Sequence, residues 1–168
     1  KDVRKFRMVM AFLATVRGIP QLYYGSELLM AGDGTLGHAN IRQDFPGGWP
    51  EDPASAFTEK GRTTQQQETI TCISRLFNYR KNNPVLHKGK LIHFVPDNNV
   101  YVYFRILNNR AVMVILNASE EERELQTEKY SEVLKSFSSG KDVVTGKIIP
   151  DLSRLTVGAM DAMVIELN

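Results

Sequence analysis

Gly18-Ile19-Pro20-Gln21-Leu22-Tyr23-Tyr24-Gly25-Ser26-Glu27 constrains this chain more than any other stretch. Pro20 has a fixed φ and no N–H, so it belongs at the start of a strand. Leu22, Tyr23 and Tyr24 then run apolar and aromatic, as a strand covered on both faces does. Gly25 lets the backbone turn, and Glu27 falls just past the strand's carboxyl end. Upstream, Val3, Phe6, Met10 and Leu13 recur at helical spacing, with Val9, Phe12 and Val16 widening the apolar face. That helix is expected over Val3–Val16, ending at Gly18. A helix, a tight glycine, a buried strand and a long polar loop form the rhythm of a β/α barrel. Neither an initiating methionine nor a capping sequence precedes the helix, so the chain is expected to be cut from something longer.

Residues 28–64 are rich in Gly, Pro, Asp and Asn and hold no period, which predicts a functional loop at the strand's C-terminal end. Gln65–Lys81 reads as a helix with Ile70, Ile73 and Phe77 on one face, stopped by Asn82-Asn83-Pro84. After Gly89 the texture is that of strands: 91–95, 100–106, 111–117, 155–157 and 162–167 alternate or run apolar. Asn98-Asn99 and Asn108-Asn109 suit tight turns, because asparagine tolerates positive φ. Val143–Ile149 reads as a further hairpin turning at Thr145-Gly146. Tyr130, Val133, Leu134 and Phe137 predict one short helix after Thr127, a plausible N-cap. The expected architecture is a mixed one. Residues 1–83 are expected to belong to a β/α barrel, and residues 84–168 to form an all-β antiparallel sandwich or open barrel. Without the other barrel strands, the first helix and strand should expose apolar surface or self-associate, unless the sandwich covers them.

Composition removes several classes of function. Of the charged residues 21 are basic and 19 acidic, and they are dispersed, so no strip suits a nucleic-acid backbone. No stretch is apolar for long enough to span a bilayer. Cys72 is the only cysteine, which excludes an internal disulfide and fits either the cytoplasm or a periplasmic or secreted parent. It reads as a small half-buried helix residue, since no basic neighbour is evident to activate it. His38, His87 and His93 lack metal-ligand spacing, and Asp33, Asp44 and Asp52 follow no calcium-loop pattern. Gly140 and Gly146-Lys147 miss the phosphate-loop spacing by one residue. Asn117-Ala118-Ser119 matches a glycosylation acceptor, a pattern frequent by chance.

The opening decapeptide resembles the eighth-strand motif of the α-amylase family, glycoside hydrolase family 13. That motif runs Gly-x-Pro-x-x-Tyr-Tyr-Gly-x-Glu, and it is matched here by Gly18, Pro20, Tyr23, Tyr24, Gly25 and Glu27. Ile41-Arg42-Gln43-Asp44-Phe45-Pro46-Gly47-Gly48-Trp49 and Gly61-Arg62-Thr63 resemble the neopullulanase and cyclomaltodextrinase branch. The resemblance implies the last helix and strand of a (β/α)8 barrel, its eighth helix and a C-terminal β-sandwich, in an α-glucan hydrolase cleaving α-1,4 or α-1,6 bonds of maltooligosaccharides or pullulan. Its retaining mechanism needs two closely spaced carboxyl groups. The family's catalytic carboxylates follow earlier barrel strands, so they should lie upstream of Lys1 and this piece alone should be inactive. No cofactor is expected in the piece, with calcium an option for the parent.

Substrate positioning is what remains. Arg42 matches the arginine of a sugar-clasping Asp–Arg pair, and its donor fork suits sugar hydroxyls or the nearby Asp44. Four residues earlier the branch has an aspartate where this chain has His38. Trp49 offers an indole face for a glucose ring, or anchors the loop by burying that ring. The alternative function is a stand-alone carbohydrate-binding or purely structural sandwich, with Tyr101, Tyr103 and Phe104 as its stacking platform.

Overall fold

The computed structural model describes residues 2–168. Contacts group them into two units: Ser74–Asn168 together with the chain up to Pro20, and Gln21–Ile73.

The first unit is built on antiparallel strands. α1 (Val3–Thr15) precedes it in the chain, and α2 (Thr64–Asn82) gives it its second half. Then come α3 (Pro84–Lys88), β1 (Lys90–His93), β2 (Val100–Leu107), β3 (Arg110–Asn117) and β4 (Arg123–Gln126). A 3-10 turn leads into α4 (Ser131–Leu134), followed by β5 (Gly140–Asp142), β6 (Ile148–Ile149), β7 (Arg154–Val157) and β8 (Asp161–Leu167). Six strands form one antiparallel sheet in the order β1-β2-β3-β8-β5-β6, while β4 and β7 pair as a second.

The period-two rule sorts the central strands into two buried faces. Val102 and Phe104 of β2, Ala111, Met113 and Ile115 of β3 and Ile165 and Leu167 of β8 join the core. Leu125, Leu155 and Val157 of the small sheet and Val133 and Leu134 of α4 close it. The opposite face carries Tyr103, Val112, Val114 and Val164, which are equally buried. There α1 packs on β3 and β8, and α3 on β2 and β3. A mostly antiparallel sheet with a few helices is thus covered on both sides, and β1 and β6 are left as its edges.

Two buried arginines join α1 to this unit. Arg105 of β2 donates to the Thr15 carbonyl at 2.8 Å and to the Gly89 carbonyl at 3.1 Å. Arg80 of α2 donates to the carbonyls of Ala14 (2.8 Å), Val16 (3.3 Å) and Gly18 (2.6 Å). These carbonyls lie at and just past the C-terminus of α1, where a cation is favoured. Burial holds both guanidinium pKa values below the usual arginine range. The Thr15 and Tyr103 hydroxyls add a buried hydrogen bond of 2.5 Å.

The sequence-based expectations differ from the structure in definite places. α1 does have a cap: Asp2 accepts from the Arg4 amide at 2.9 Å, and Arg4 beside it holds that carboxyl down at about 2. Residues 19–24 form no strand, since a strand exists through its ladder and no partner pairs with them. Ile19 is consequently 96% exposed. α1 itself leaves less apolar surface bare than expected, because the sheet covers Met10, Ala11 and Ala14, although Val9 and Phe12 stay exposed. Pro84 does not only end α2: it opens α3, with Asn83 as N-cap accepting from the Val85 amide at 3.0 Å. The Thr127 hydroxyl caps nothing and bonds the Leu152 carbonyl at 2.6 Å. β4 was not foreseen. The asparagine turns did form, with positive φ at Asn98, Asn99 and Asn108.

Candidate functional site

The second unit, Gln21–Ile73, is a loop ordered by polar contacts around three short 3-10 turns, Ser26–Leu28, Gly34–Leu36 and Glu59–Gly61. With little apolar burial to fix it, its shape rests on side chains that bond backbone groups. Asp52 accepts from the amides of Gly47 at 2.6 Å and Trp49 at 3.1 Å, which pins the Gly47-Gly48-Trp49 turn. Gly47 has a φ of 94° and lies against Ser55, so a side chain there would be strained and would clash. Arg62 donates to the carbonyls of Ala56 (2.6 Å) and Phe57 (3.0 Å) and to the Gln67 side chain at 3.0 Å. The rings of Phe45 and Phe57 pack at 4.6 Å between these anchors.

Beside this frame is a concavity of about 220 Å³, lined by Tyr23, Tyr24, Met30, Asn40, Ile41 and Gln43 among others. The Tyr23 and Tyr24 rings lie 4.6 Å apart and both are exposed. The Tyr24 hydroxyl donates to the Gln43 carbonyl at 2.9 Å, and the Gln43 side chain donates to the Asn40 carbonyl at 2.9 Å. The Asn40 side chain in turn accepts from the Asp33 amide at 2.5 Å. Hydrogen bonding with Tyr23 pushes the Tyr24 phenol pKa up, and Asp44 acts in the same direction. A wall of two aromatic faces with amides at its edge suits a ligand with apolar C–H faces and equatorial hydroxyls.

Arg42 and Asp44 flank Gln43, and both are exposed. Among the described residues no ion pair ties Arg42 to Asp44 or Asp33; the Asp33 carboxylate instead accepts from the Thr35 amide and hydroxyl. The guanidinium is therefore not committed to fixing the loop. Trp49 is 61% exposed in this unit. His38 is exposed on the same loop and does not line the concavity. Asn40, Gln43, Asp52 and Arg62 were missed from sequence. Gln43 and Arg62 fall within the matched motifs, whereas nothing signalled Asn40 and Asp52, because bonds from a side chain to nearby backbone leave no periodic trace.

Other candidate chemistry fails on geometry. Tyr103 and Phe104 are fully buried and Tyr101 is half-buried against Tyr103, so no stacking platform exists on β2. Asn117 is also buried. Its side-chain amide donates to the carbonyls of Glu121 and Gly158 at 2.8 Å, which closes it to glycosylation. Among the described residues no three His, Cys, Asp or Glu side chains form a group able to hold a metal. Among the described residues no helix is long and apolar enough to cross a membrane.

Residues 91–166 match the family described as the cyclo-malto-dextrinase C-terminal domain. A cyclomaltodextrin glucanotransferase of Geobacillus stearothermophilus is 32% identical over 118 residues, covering 70% of this chain and 14% of that protein. An alpha-amylase of Niallia circulans is 27% identical over 151 residues, covering 85% of this chain and 25% of that protein. The chain thus spans a quarter or less of these relatives. Among solved structures, the alpha-amylase of Geobacillus thermoleovorans complexed with acarbose superposes with a TM-score of 0.73 at 18% identity. That match covers all of this chain and 34% of the other. AmyP in complex with maltose gives a TM-score of 0.73 at 16% identity, covering 98% and 34%. These likenesses establish the fold, and the sequence matches establish the kinship. The chain belongs to the α-amylase family of glycoside hydrolases, and its antiparallel domain is the family's cyclo-malto-dextrinase type of C-terminal domain.

Proposed function

We propose that this chain serves an α-glucan hydrolase of the neopullulanase or cyclomaltodextrinase type, supplying a rim of the substrate cleft and a capping sandwich. The observation that carries the reading is the loop unit. Its matched motifs build an aromatic wall at Tyr23 and Tyr24, an uncommitted guanidinium at Arg42 and a free indole at Trp49. These groups complement a glucan chain: aromatic faces receive the C–H side of a glucose ring, and Arg42 with Asp44 bonds its hydroxyls. His38 stands ready to add a bond from the neighbouring turn. In this reading residues 1–83 complete a (β/α)8 barrel whose other strands would pair with residues 19–24, and residues 84–168 form the domain that follows it.

Catalysis in the parent proceeds with retention. One carboxyl group attacks the anomeric carbon while the other protonates the leaving oxygen, and water then releases the covalent glycosyl intermediate. Neither group is assigned within this chain. Its residues bind and orient the sugar.

The test compares the chain with the parent polypeptide on maltoheptaose and pullulan. The parent should release products of retained configuration, read by NMR of the fresh anomers, and the chain alone should release none. In the parent, Arg42→Ala should raise KM about tenfold, as expected for a lost charge-assisted hydrogen bond. Inverted products, or hydrolysis by the chain alone, would overturn the proposal.

A further inference from the structure

An unassigned cavity lies on the antiparallel domain. It has a volume of about 690 Å³ and lies between the β1–β2 end of the six-stranded sheet and α4. Its origin is a mismatch of layers. The second sheet has only two strands, and with α4 it cannot roof a six-stranded sheet completely. Ile92, Ile106 and Phe137, which pack at the edge of the core, are left half-covered as a floor, with buried Val133 behind them. The rim comes from two different places: Asn108 and Asn109 at the tip of the β2–β3 hairpin, and Glu132 and Ser136 on and after α4.

The chemistry of the rim narrows the ligand. Four exposed side chains present amides, a hydroxyl and a carboxylate, and none of these groups takes a hydrogen bond among the described residues. Asn108 is held in the left-handed region at a φ of 53°, so the hairpin tip presents both amides from a defined backbone. Among the described residues no lysine or arginine lines the cavity, which argues against phosphate or another anion. An apolar ligand would leave the rim unpaired, whereas a sugar fills both roles. Its C–H faces lie on Ile106 and Phe137, and its hydroxyls both donate to Glu132 and accept from the asparagine amides. The volume falls within the roughly 300–1,000 Å³ typical of small-ligand sites, enough for more than one sugar ring.

We propose that this groove is a second carbohydrate site, separate from the loop unit, which takes a short α-linked glucose oligomer without cleaving it. The ligand class rests on the function proposed above; the location rests on the groove alone. Such a site would hold a long glucan on the protein between cleavage events and raise its effective concentration at the cleft.

The test is a titration of the 15N-labelled chain with maltotriose, with cellotriose as the β-linked control. Saturable amide shifts are expected at Asn108, Asn109, Glu132, Ser136 and Phe137, with a dissociation constant of about 1 mM. Asn109→Ala combined with Glu132→Ala should weaken those shifts at least tenfold while leaving the shifts at Tyr24 and Gln43 intact. Both residues are exposed, so the fold should tolerate their loss. Shifts confined to the loop unit would overturn the groove and leave the function standing. Groove shifts with cellotriose but not maltotriose would overturn the α-linked ligand. No groove shift with either sugar would overturn the site outright.

Discussion

The buried hydroxyl pair between Thr15 and Tyr103 offers a quantitative check on how α1 is held. The two oxygens lie 2.5 Å apart, and the residues are 1% and 0% exposed. Thr15→Val keeps the shape and removes the partner, leaving the Tyr103 hydroxyl buried and unpaired at a cost of about 1–3 kcal/mol. Tyr103→Phe alone should cost about 1 kcal/mol, because Thr15 keeps its bond to the Ala11 carbonyl at 2.6 Å. The double variant should cost much less than the sum, since no orphaned hydroxyl remains. A coupling energy of about 1–2 kcal/mol is expected. Urea unfolding followed by circular dichroism reads it. Fluorescence does not, because Trp49 belongs to the other unit. With a slope near 2 kcal/mol per molar urea, Thr15→Val should lower the midpoint by about 0.5–1.5 M. Strict additivity of the two single variants would refute the reasoning, and with it the claim that α1 is locked to the sheet through this contact.

Three further outcomes follow from the geometry. Burial pushes the phenol pKa values of Tyr79 and Tyr103 above the usual tyrosine range, so the folded state holds more protons than the unfolded chain above about pH 10. Stability present below that pH should decline as it rises, and Tyr79→Phe should flatten the decline in alkaline unfolding curves. Asp52→Asn should speed amide exchange at Gly47 and Trp49, which its carboxylate now holds, without changing exchange in β3. Asn117 should stay unmodified in a glycosylating host, as mass spectrometry would show. Asn117→Ala should cost about 2–4 kcal/mol for several lost buried hydrogen bonds.

What the sequence disclosed and what it withheld divide along physical lines. The strands of the antiparallel domain were legible because β2, β3 and β8 are buried on both faces and run almost continuously apolar. α1 and α2 were legible from their helical stripe. β4 was not, since Arg123-Glu124-Leu125-Gln126 offers the core a single apolar side chain, Leu125. Residues 19–24 read as a strand because their composition suits a ladder, but composition supplies no pairing partner, and among the described residues none pairs with them. At the candidate site, Arg42 and Trp49 were visible through motif resemblance. The groups that hold them in place, Asp52 and Arg62, act through backbone bonds that no residue spacing encodes. The groove on the antiparallel domain was invisible for a different reason: it arises where layers of unequal width fail to match, which is a property of topology.

The claim that the loop unit faces an α-glucan can be tested with its own indole. Trp49 is the only tryptophan in the chain and is 61% exposed, so its emission reports on that loop alone. Titration with maltoheptaose should shift the emission to the blue and saturate at millimolar sugar, and Arg42→Ala should weaken the response about tenfold. Emission that stays unchanged to about 10 mM maltoheptaose would contradict the account, because an exposed ring that receives a glucose face must lose water.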